Sequence, residues 1–121
     1  PFTGVAVDVY WSAIANLDLM AKRNTVAHAA AIGDLIEREL SPLASYDGVL
    51  EVRRIGTMTG IEVQSVGVRT GFEICQVARS FGVWVRPLGD VVVLMPPLAI
   101  DPNQLQTLTG VVSDAIRTVV G

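Results

Sequence analysis

The stretch that decides the fold is Gly82 to Pro97, which reads Gly-Val-Trp-Val-Arg-Pro-Leu-Gly-Asp-Val-Val-Val-Leu-Met-Pro-Pro. Two short apolar runs flank a Gly-Asp pair, a pattern that predicts two strands joined by a tight turn. One charged residue, Arg86, stands at the end of the first predicted strand. The two prolines end strand pairing, because neither can donate a backbone hydrogen bond to a ladder.

A helix is predicted on each side of this hairpin. Thr70 and Glu73 form a capping-box pattern, and Gly82 stands where a helix ends in a left-handed residue. The helix between them is expected to bury Ile74, Val77, Ala78 and Phe81. The last helix is expected to begin with Asp101 as N-cap, Pro102 at the first helical position and Gln104. Its apolar stripe consists of Leu105, Leu108, Val112, Ala115, Ile116 and Val119.

Two further strands are predicted upstream, at Val49 to Ile55 and at Met58 to Gln64. Apolar and charged residues alternate along the first of them, as Leu50, Glu51, Val52 and Arg53. This period of two predicts one buried face and one solvated face. The short link between the strands favours an antiparallel hairpin. Gly60 inside the second strand indicates a bulge or a close backbone approach.

The N-terminal third reads as two helices. Apolar residues at helical spacing form one stripe on the first helix, at Val7, Tyr10, Ile14, Leu17 and Ala21. Asn24 or Thr25 can cap the second helix, and Pro42 ends or bends it. Its inward residues are expected to be Ile32, Leu35, Ile36, Leu40 and Leu43. The whole order predicts an α/β chain of the α+β sandwich type, with a small, mostly antiparallel sheet and helices packed on one face.

Length and composition limit the classes of protein. The 121 residues predict a single domain over residues 1–121. Half of the residues are hydrophobic and only 17% are charged, which predicts an apolar surface that packs against another domain or subunit. The net charge of -3 argues against nucleic acid as a partner.

Other features bear on the compartment. The longest uncharged apolar run, Val91 to Ile100, is too short to cross a bilayer, and no signal peptide is evident. The single Cys75 cannot form an internal disulfide, which fits a reducing cytoplasm. The start at Pro1 without a methionine indicates a fragment or a processed product.

Arg86 is the strongest candidate for a functional residue. A guanidinium presents a planar fork of donors that matches a carboxylate, and on a strand it would be held by the backbone. The alternatives are that Arg86 pairs with Asp90 across the turn or points into water, since most surface ion pairs carry no function.

Other reactive residue types are scarce. Lys22 is the only lysine, and its place beside Arg23 at a helix end predicts a solvated side chain. It is therefore not a credible imine-forming lysine. The single His28 makes neither a zinc site nor a catalytic triad. Cys75 is expected to be a small buried hydrophobe, and no phosphate loop or catalytic carboxylate pair is evident.

Several stretches together resemble the C-terminal end of class III pyridoxal-phosphate aminotransferases, most closely the branch that acts in biotin biosynthesis. Gly82 to Asp90 and Val93 to Leu98 carry the resemblance most specifically. The stretches that agree with it in order and spacing are Ala15 to Leu19, Val52 to Gly56, Thr59 to Glu62, and Gly71 to Ala78.

The resemblance implies a fold-type I homodimer in which this chain is the small C-terminal domain, packed on a large cofactor-binding domain. It implies that Arg86 binds the carboxylate of a keto acid substrate. It also implies that pyridoxal 5'-phosphate is held in the full-length protein by a lysine upstream of Pro1. This chain is then expected to contain no catalytic residue, to bind no cofactor alone and to be inactive in isolation. The implied reaction moves an amino group from S-adenosylmethionine to a keto acid.

The N-terminal end departs from the family pattern. Phe2 and Thr3 keep part of a segment that helps to hold the cofactor phosphate, but Pro1 stands where the family has a hydroxyl residue. Val93 stands where some biotin-pathway members have a tyrosine. Two alternatives stay open: another ω-aminotransferase of class III, or a stand-alone oligomerisation or regulatory module without catalytic activity.

Overall fold

The computed structural model describes residues 6–121. The elements are α1 (Val7–Lys22), α2 (Thr25–Leu40), a 3-10 turn (Ser41–Ser45), β1 (Val49–Ile55), β2 (Met58–Val63), α3 (Thr70–Ser80), β3 (Arg86–Leu88), β4 (Val91–Leu94) and α4 (Pro102–Val120). The predicted order of helices and strands is confirmed.

The four strands form one antiparallel sheet in the order β1-β2-β4-β3. Both predicted hairpins are therefore confirmed, and β2 and β4 are the central strands. Alternate residues of these two strands are buried against α2, α3 and α4, namely Ile61, Val63, Val92 and Leu94. The fold is the small antiparallel α/β sandwich that the sequence predicts, with one sheet face left open.

The last helix follows its predicted pattern closely. The Asp101 Oδ1 atom accepts a hydrogen bond from the Gln104 backbone N–H at 2.9 Å, and the Gln104 Oε1 atom accepts one from the Asp101 N–H at 3.4 Å. This reciprocal pair is a complete capping box. The residues of α4 that enter the core include Leu105, Val112, Ala115 and Ile116.

The predicted capping box of α3 is wrong. The N-cap of this helix is Arg69, and no side chain caps it. The Thr70 hydroxyl instead accepts hydrogen bonds from the backbone N–H groups of Val66 and Gly67, at 3.0 and 3.1 Å. The preceding turn therefore uses the hydroxyl that the pattern assigned to the helix.

The end of α3 brings one confirmation and one correction. Gly82 has a φ of 82°, the left-handed conformation predicted for it. The Val83 N–H donates to the Ala78 carbonyl, as in a Schellman motif. Phe81 was expected in the core but is 69% exposed, because the helix ends at Ser80 and the chain turns away from the sheet.

The first strand contains an irregularity that the alternating pattern does not predict. The register of β1 against β2 shifts between Val49 and Glu51. This bulge leaves Leu50 exposed, so its predicted burial is wrong, while Val49 enters the core. Gly60 is regularly paired, so the predicted alternative of a bulge at this residue is wrong. A Cβ atom at Gly60 would lie 3.3 Å from a Val91 methyl group, which confirms the alternative of a close approach.

The two N-terminal helices differ in how they are held. In α2 the expected residues Ile32, Ile36 and Leu40 are buried. Its predicted side-chain cap is wrong, because Asn24 adopts a left-handed conformation and makes no capping hydrogen bond. No residue of α1 is buried, and its apolar stripe is open to solvent. No helix within residues 6–121 is both long and apolar enough to cross a membrane.

Candidate functional site

Arg86 lies on the edge strand of the sheet. It begins β3 and does not end a strand, which corrects its predicted position. The preceding residues Val83 and Val85 are buried in the core but do not pair with β4. The strand pairing begins only at Arg86, opposite Val93. The ladder then runs to Leu88 and the Gly89-Asp90 turn.

The strand register places Arg86 in a row that crosses all four strands. Its partner Val93 pairs in turn with Gly60, and Gly60 pairs with Arg53 on β1. Residues in one cross-strand row project from the same face of a sheet. The adjacent row contains Ile61 and Val92, which are fully buried under the helices. Arg86 and Arg53 therefore project from the open face, about 14 Å apart at three strand spacings.

The two arginines differ in their partners. Arg53 Nη1 lies 2.9 Å from a Glu62 carboxylate oxygen and 2.8 Å from one of Glu51. The hydrogen bonds that Arg53 donates to Glu62 and Glu51 raise the pKa of Arg53 above its ordinary value. Within residues 6–121 Arg86 makes no ion pair, either with Asp90 or with any other carboxylate. The predicted alternative of an Arg86–Asp90 pair is therefore wrong.

Two grooves adjoin the open face, and both also reach residues of the covered side, among them Val85 and Leu108 in the first and Thr59 in the second. A groove of about 410 Å³ beside Arg86 is otherwise lined by apolar and backbone atoms, including those of Trp84, Val93 and Met95. A second groove, of about 330 Å³, is lined by Gly60, Met58 and Leu88 and also by Arg53 and Arg54. Both grooves include Val93, so they meet at the residue that pairs with Arg86. We call the two adjoining grooves the apolar channel; Arg86 lies on the wall of the first, and Arg53 and Arg54 lie on the wall of the second.

Trp84 was not predicted to belong to the site. It is 72% exposed, and the Arg79 guanidinium carbon lies 3.8 Å from the centre of its ring, a cation–π contact. The alternation of buried Val83 and Val85 with exposed Trp84 and Arg86 is a signal that could have found it. The contact with Arg79, in contrast, depends on the turn after α3.

The remaining candidates have no place in this channel. Lys22 is exposed as expected. His28 is exposed too, and its Nε2 atom lies 3.3 Å from the Ile100 carbonyl oxygen. Cys75 is buried as expected, and burial raises the pKa of its thiol. The predicted cofactor residues Phe2 and Thr3 lie outside the described part of the chain.

The described residues do not fit a pyridoxal-phosphate site. The chain's only lysine is exposed in the last turn of α1, whereas an imine-forming lysine needs a desolvated environment. Among residues 6–121, no three histidine, cysteine or carboxylate side chains come together as a metal site. The chemistry that this face itself can perform is recognition of an anion with an apolar body.

Comparison with known proteins bears on this interpretation. An adenosylmethionine-8-amino-7-oxononanoate aminotransferase of Nitratidesulfovibrio vulgaris is 38% identical over 117 residues, which cover 89% of this chain and 22% of that protein. A protein of the same name from Geobacter sulfurreducens is 30% identical over 118 residues, with coverage of 90% and 26%. This chain thus spans about a quarter of the length of these relatives.

Solved structures agree in fold. The crystal structure of the Methanocaldococcus jannaschii adenosylmethionine-8-amino-7-oxononanoate aminotransferase gives a TM-score of 0.81 at 28% identity, covering 88% of this chain and 26% of that one. A transaminase solved with L-ala gives 0.82 at 28% identity, covering 88% and 27%. The family model of class III aminotransferases matches residues 9–116. The chain therefore belongs to the class III aminotransferase family.

Proposed function

We propose that this chain is the small, substrate-binding C-terminal domain of a longer aminotransferase, and that Arg86 binds the substrate carboxylate. The observation that carries the proposal is that the Arg86 guanidinium, at the wall of an apolar groove, pairs with no carboxylate among residues 6–121. A guanidinium without a carboxylate partner retains its full fork of donors for a ligand. Family membership and the quarter-length match to the relatives support the same assignment.

The exposed apolar surface supports a partner that covers it. Large side chains of α1 are more than half exposed, among them Val7, Tyr10, Trp11 and Leu17. On the open sheet face Leu88 is 73% exposed. Apolar surface on this scale marks an interface. We assign these two surfaces to a large cofactor-binding domain and to a second subunit of a homo-oligomer.

The reaction proposed for the whole protein is amino transfer from S-adenosylmethionine to 8-amino-7-oxononanoate in biotin synthesis. The names of the relatives from N. vulgaris and G. sulfurreducens support it. Pyridoxal 5'-phosphate, supplied by the rest of the protein, would provide the electron sink for the amino transfer. The exposed position of Lys22 supports a cofactor lysine elsewhere, so this chain alone is expected to be inactive.

Arg86 contributes binding and orientation to this reaction. Its fork would hold the terminal carboxylate by two charge-assisted hydrogen bonds, and the apolar channel would take the chain behind it. The side chain is exposed in this domain alone. Covering the open face with another domain would exclude water and strengthen the contact, because charges interact more strongly at low dielectric.

A second candidate is another class III aminotransferase with a different amino donor. The observation that favours it is Val93, which pairs directly with Arg86 and lines both grooves. A valine there leaves room that a tyrosine would fill. The similarity to a transaminase solved with L-ala fits this candidate equally well.

The test uses the full-length protein that carries this chain, with pyridoxal 5'-phosphate. Amino transfer to 8-amino-7-oxononanoate is measured with S-adenosylmethionine and with alanine as donors. We expect turnover with S-adenosylmethionine, and a KM for the keto acid at least about tenfold higher in Arg86→Lys, because an ammonium lacks the fork. Turnover with alanine alone would favour the second candidate. Unchanged keto acid binding in Arg86→Lys would contradict the assigned role of Arg86.

A further inference from the structure

The position of Trp84 is not explained by the core. The indole is 72% exposed, yet Arg79 lies over its ring at 3.8 Å. Arg79 belongs to the last turn of α3, and that helix is anchored by the fully buried Ile74 and Ala78. The guanidinium that holds the indole is thus fixed by a helix and not by a mobile loop. A large apolar side chain is held in water in a defined position.

Trp84 and Arg86 face the same groove. They flank the buried Val85, and both line the groove of about 410 Å³. Their Cα atoms lie about 7 Å apart along the extended chain. Met95, the residue after β4, lines the same groove and is 70% exposed. Among residues 6–121, Arg86 contributes the only charged side chain of the lining.

This arrangement discriminates between two kinds of carboxylate ligand. A short carboxylate can satisfy the fork of Arg86 and leave the parts of Trp84 and Met95 that line the groove solvated. A carboxylate on a longer apolar chain removes surface of these side chains from water as well. Burying one methylene group corresponds to about a fourfold gain in affinity. The groove therefore favours the longer chain.

We propose that Trp84 is a specificity-determining residue of the Arg86 site, forming the apolar wall against which the chain of a medium-length keto carboxylate packs. Arg79 is its positioning residue, which holds the indole through the cation–π contact. This inference rests on the function proposed above and deepens it. It selects ligands by the length of the apolar chain behind the carboxylate.

The experiment measures kcat and KM of the full-length protein with pyridoxal 5'-phosphate. The acceptors are a keto acid with a short methylene chain between ketone and carboxylate, and 8-amino-7-oxononanoate with its longer chain. In Trp84→Ala we expect KM to rise about tenfold or more for the long acceptor and less than about twofold for the short one. We expect kcat to stay unchanged, and Trp84→Phe to recover most of the affinity.

Matched variants separate this role from a general loss of structure. Phe81→Ala removes an aromatic side chain of similar exposure, 69%, that does not line the groove. It should leave both KM values unchanged. Arg79→Gln should raise KM for the long acceptor only, and Arg79→Lys should restore it because an ammonium also binds a ring face.

Each outcome decides between the two proposals. If the wild type transfers amino groups but Trp84→Ala affects the two acceptors equally or not at all, the role of Trp84 is refuted and the proposed function stands. If the wild type transfers no amino group to either acceptor, the proposed function itself fails. A selective effect on the long acceptor supports both.

Discussion

Arg53 and Arg86 occupy the two ends of one cross-strand row, joined through Gly60 and Val93. The two arginines differ in whether a carboxylate compensates their charge. Arg53 is neutralised by Glu51 and Glu62, whereas no carboxylate among residues 6–121 pairs with Arg86. The open face therefore has a net acidic end at β1 and a basic end at β3. A carboxylate ligand is attracted to only one of them.

We predict that Arg53→Gln and Arg86→Gln differ sharply in the full-length protein. Loss of Arg86 should raise KM for the keto acid at least about tenfold, the range expected when a charge-assisted hydrogen bond is removed. Loss of Arg53 should change KM less than about twofold, because its charge is already compensated. Steady-state kinetics on both variants provide the comparison. Equal effects would mean that Arg86 acts only through the general field of the sheet.

Much of the fold follows from local signals in the sequence. Some features depend on neighbouring residues alone, and the structure contains them as predicted. They are the apolar stripe of α4, its start at Asp101-Pro102, and the Gly-Asp turn between β3 and β4. The failures arise where a distant or competing contact decides. Leu50 is exposed because β1 has a bulge in its pairing with β2. The Thr70 hydroxyl does not cap α3, because it accepts a hydrogen bond from the Val66 N–H in the preceding turn.

The site was predictable in part for the same reason. Arg86 stands out in the sequence because it is a charge inside an apolar hairpin. Two other features depend on the conformation of the turn after α3 and of the Gly89-Asp90 turn. They are the lack of an ion pair between Arg86 and Asp90, and the stacking of Arg79 on Trp84. The row that relates Arg86 to Arg53 requires the order of all four strands, which no local pattern contains.

The capping box of α4 should contribute measurably to stability. Asp101→Ala removes the acceptor of the Gln104 N–H, and we expect the free energy of unfolding to fall by about 1 kcal/mol. Asp101→Asn should retain most of the stability, because asparagine is an equally good N-cap. Urea unfolding followed by circular dichroism measures both. Asp114→Ala, an exposed position on the same helix, serves as the control and should change stability much less. A loss in Asp101→Asn equal to that in Asp101→Ala would show that charge and not hydrogen bonding matters.

Cys75 should make stability depend on alkaline pH. Burial raises the pKa of its thiol above the ordinary value of 9.0, although nearby Arg79 opposes the shift. A group with a raised folded pKa contributes stability below its unfolded pKa and loses it as pH rises through the folded value. We therefore expect the wild type to lose stability above about pH 9 relative to Cys75→Ala, in which the thiol is absent. Urea unfolding at several alkaline pH values tests this. A constant difference between the two proteins would contradict it.

The contact between α3 and the hairpin turn should fix the position of Arg86. Gly71 is buried in the first turn of α3, and a Cβ atom there would overlap the carbonyl oxygen of Gly89. Gly71→Ala should therefore push the hairpin away from the helix and cost about 1–3 kcal/mol of stability, as overpacking usually does. Because β3 begins three residues before this turn, we also expect a higher KM for the keto acid. Gly67→Ala is the matched control, since its nearest neighbour would be a Glu73 oxygen at an ordinary 3.8 Å. Thermal unfolding together with kinetics of the full-length variants measures both effects, and a Gly71→Ala protein as stable as Gly67→Ala would disprove the close contact.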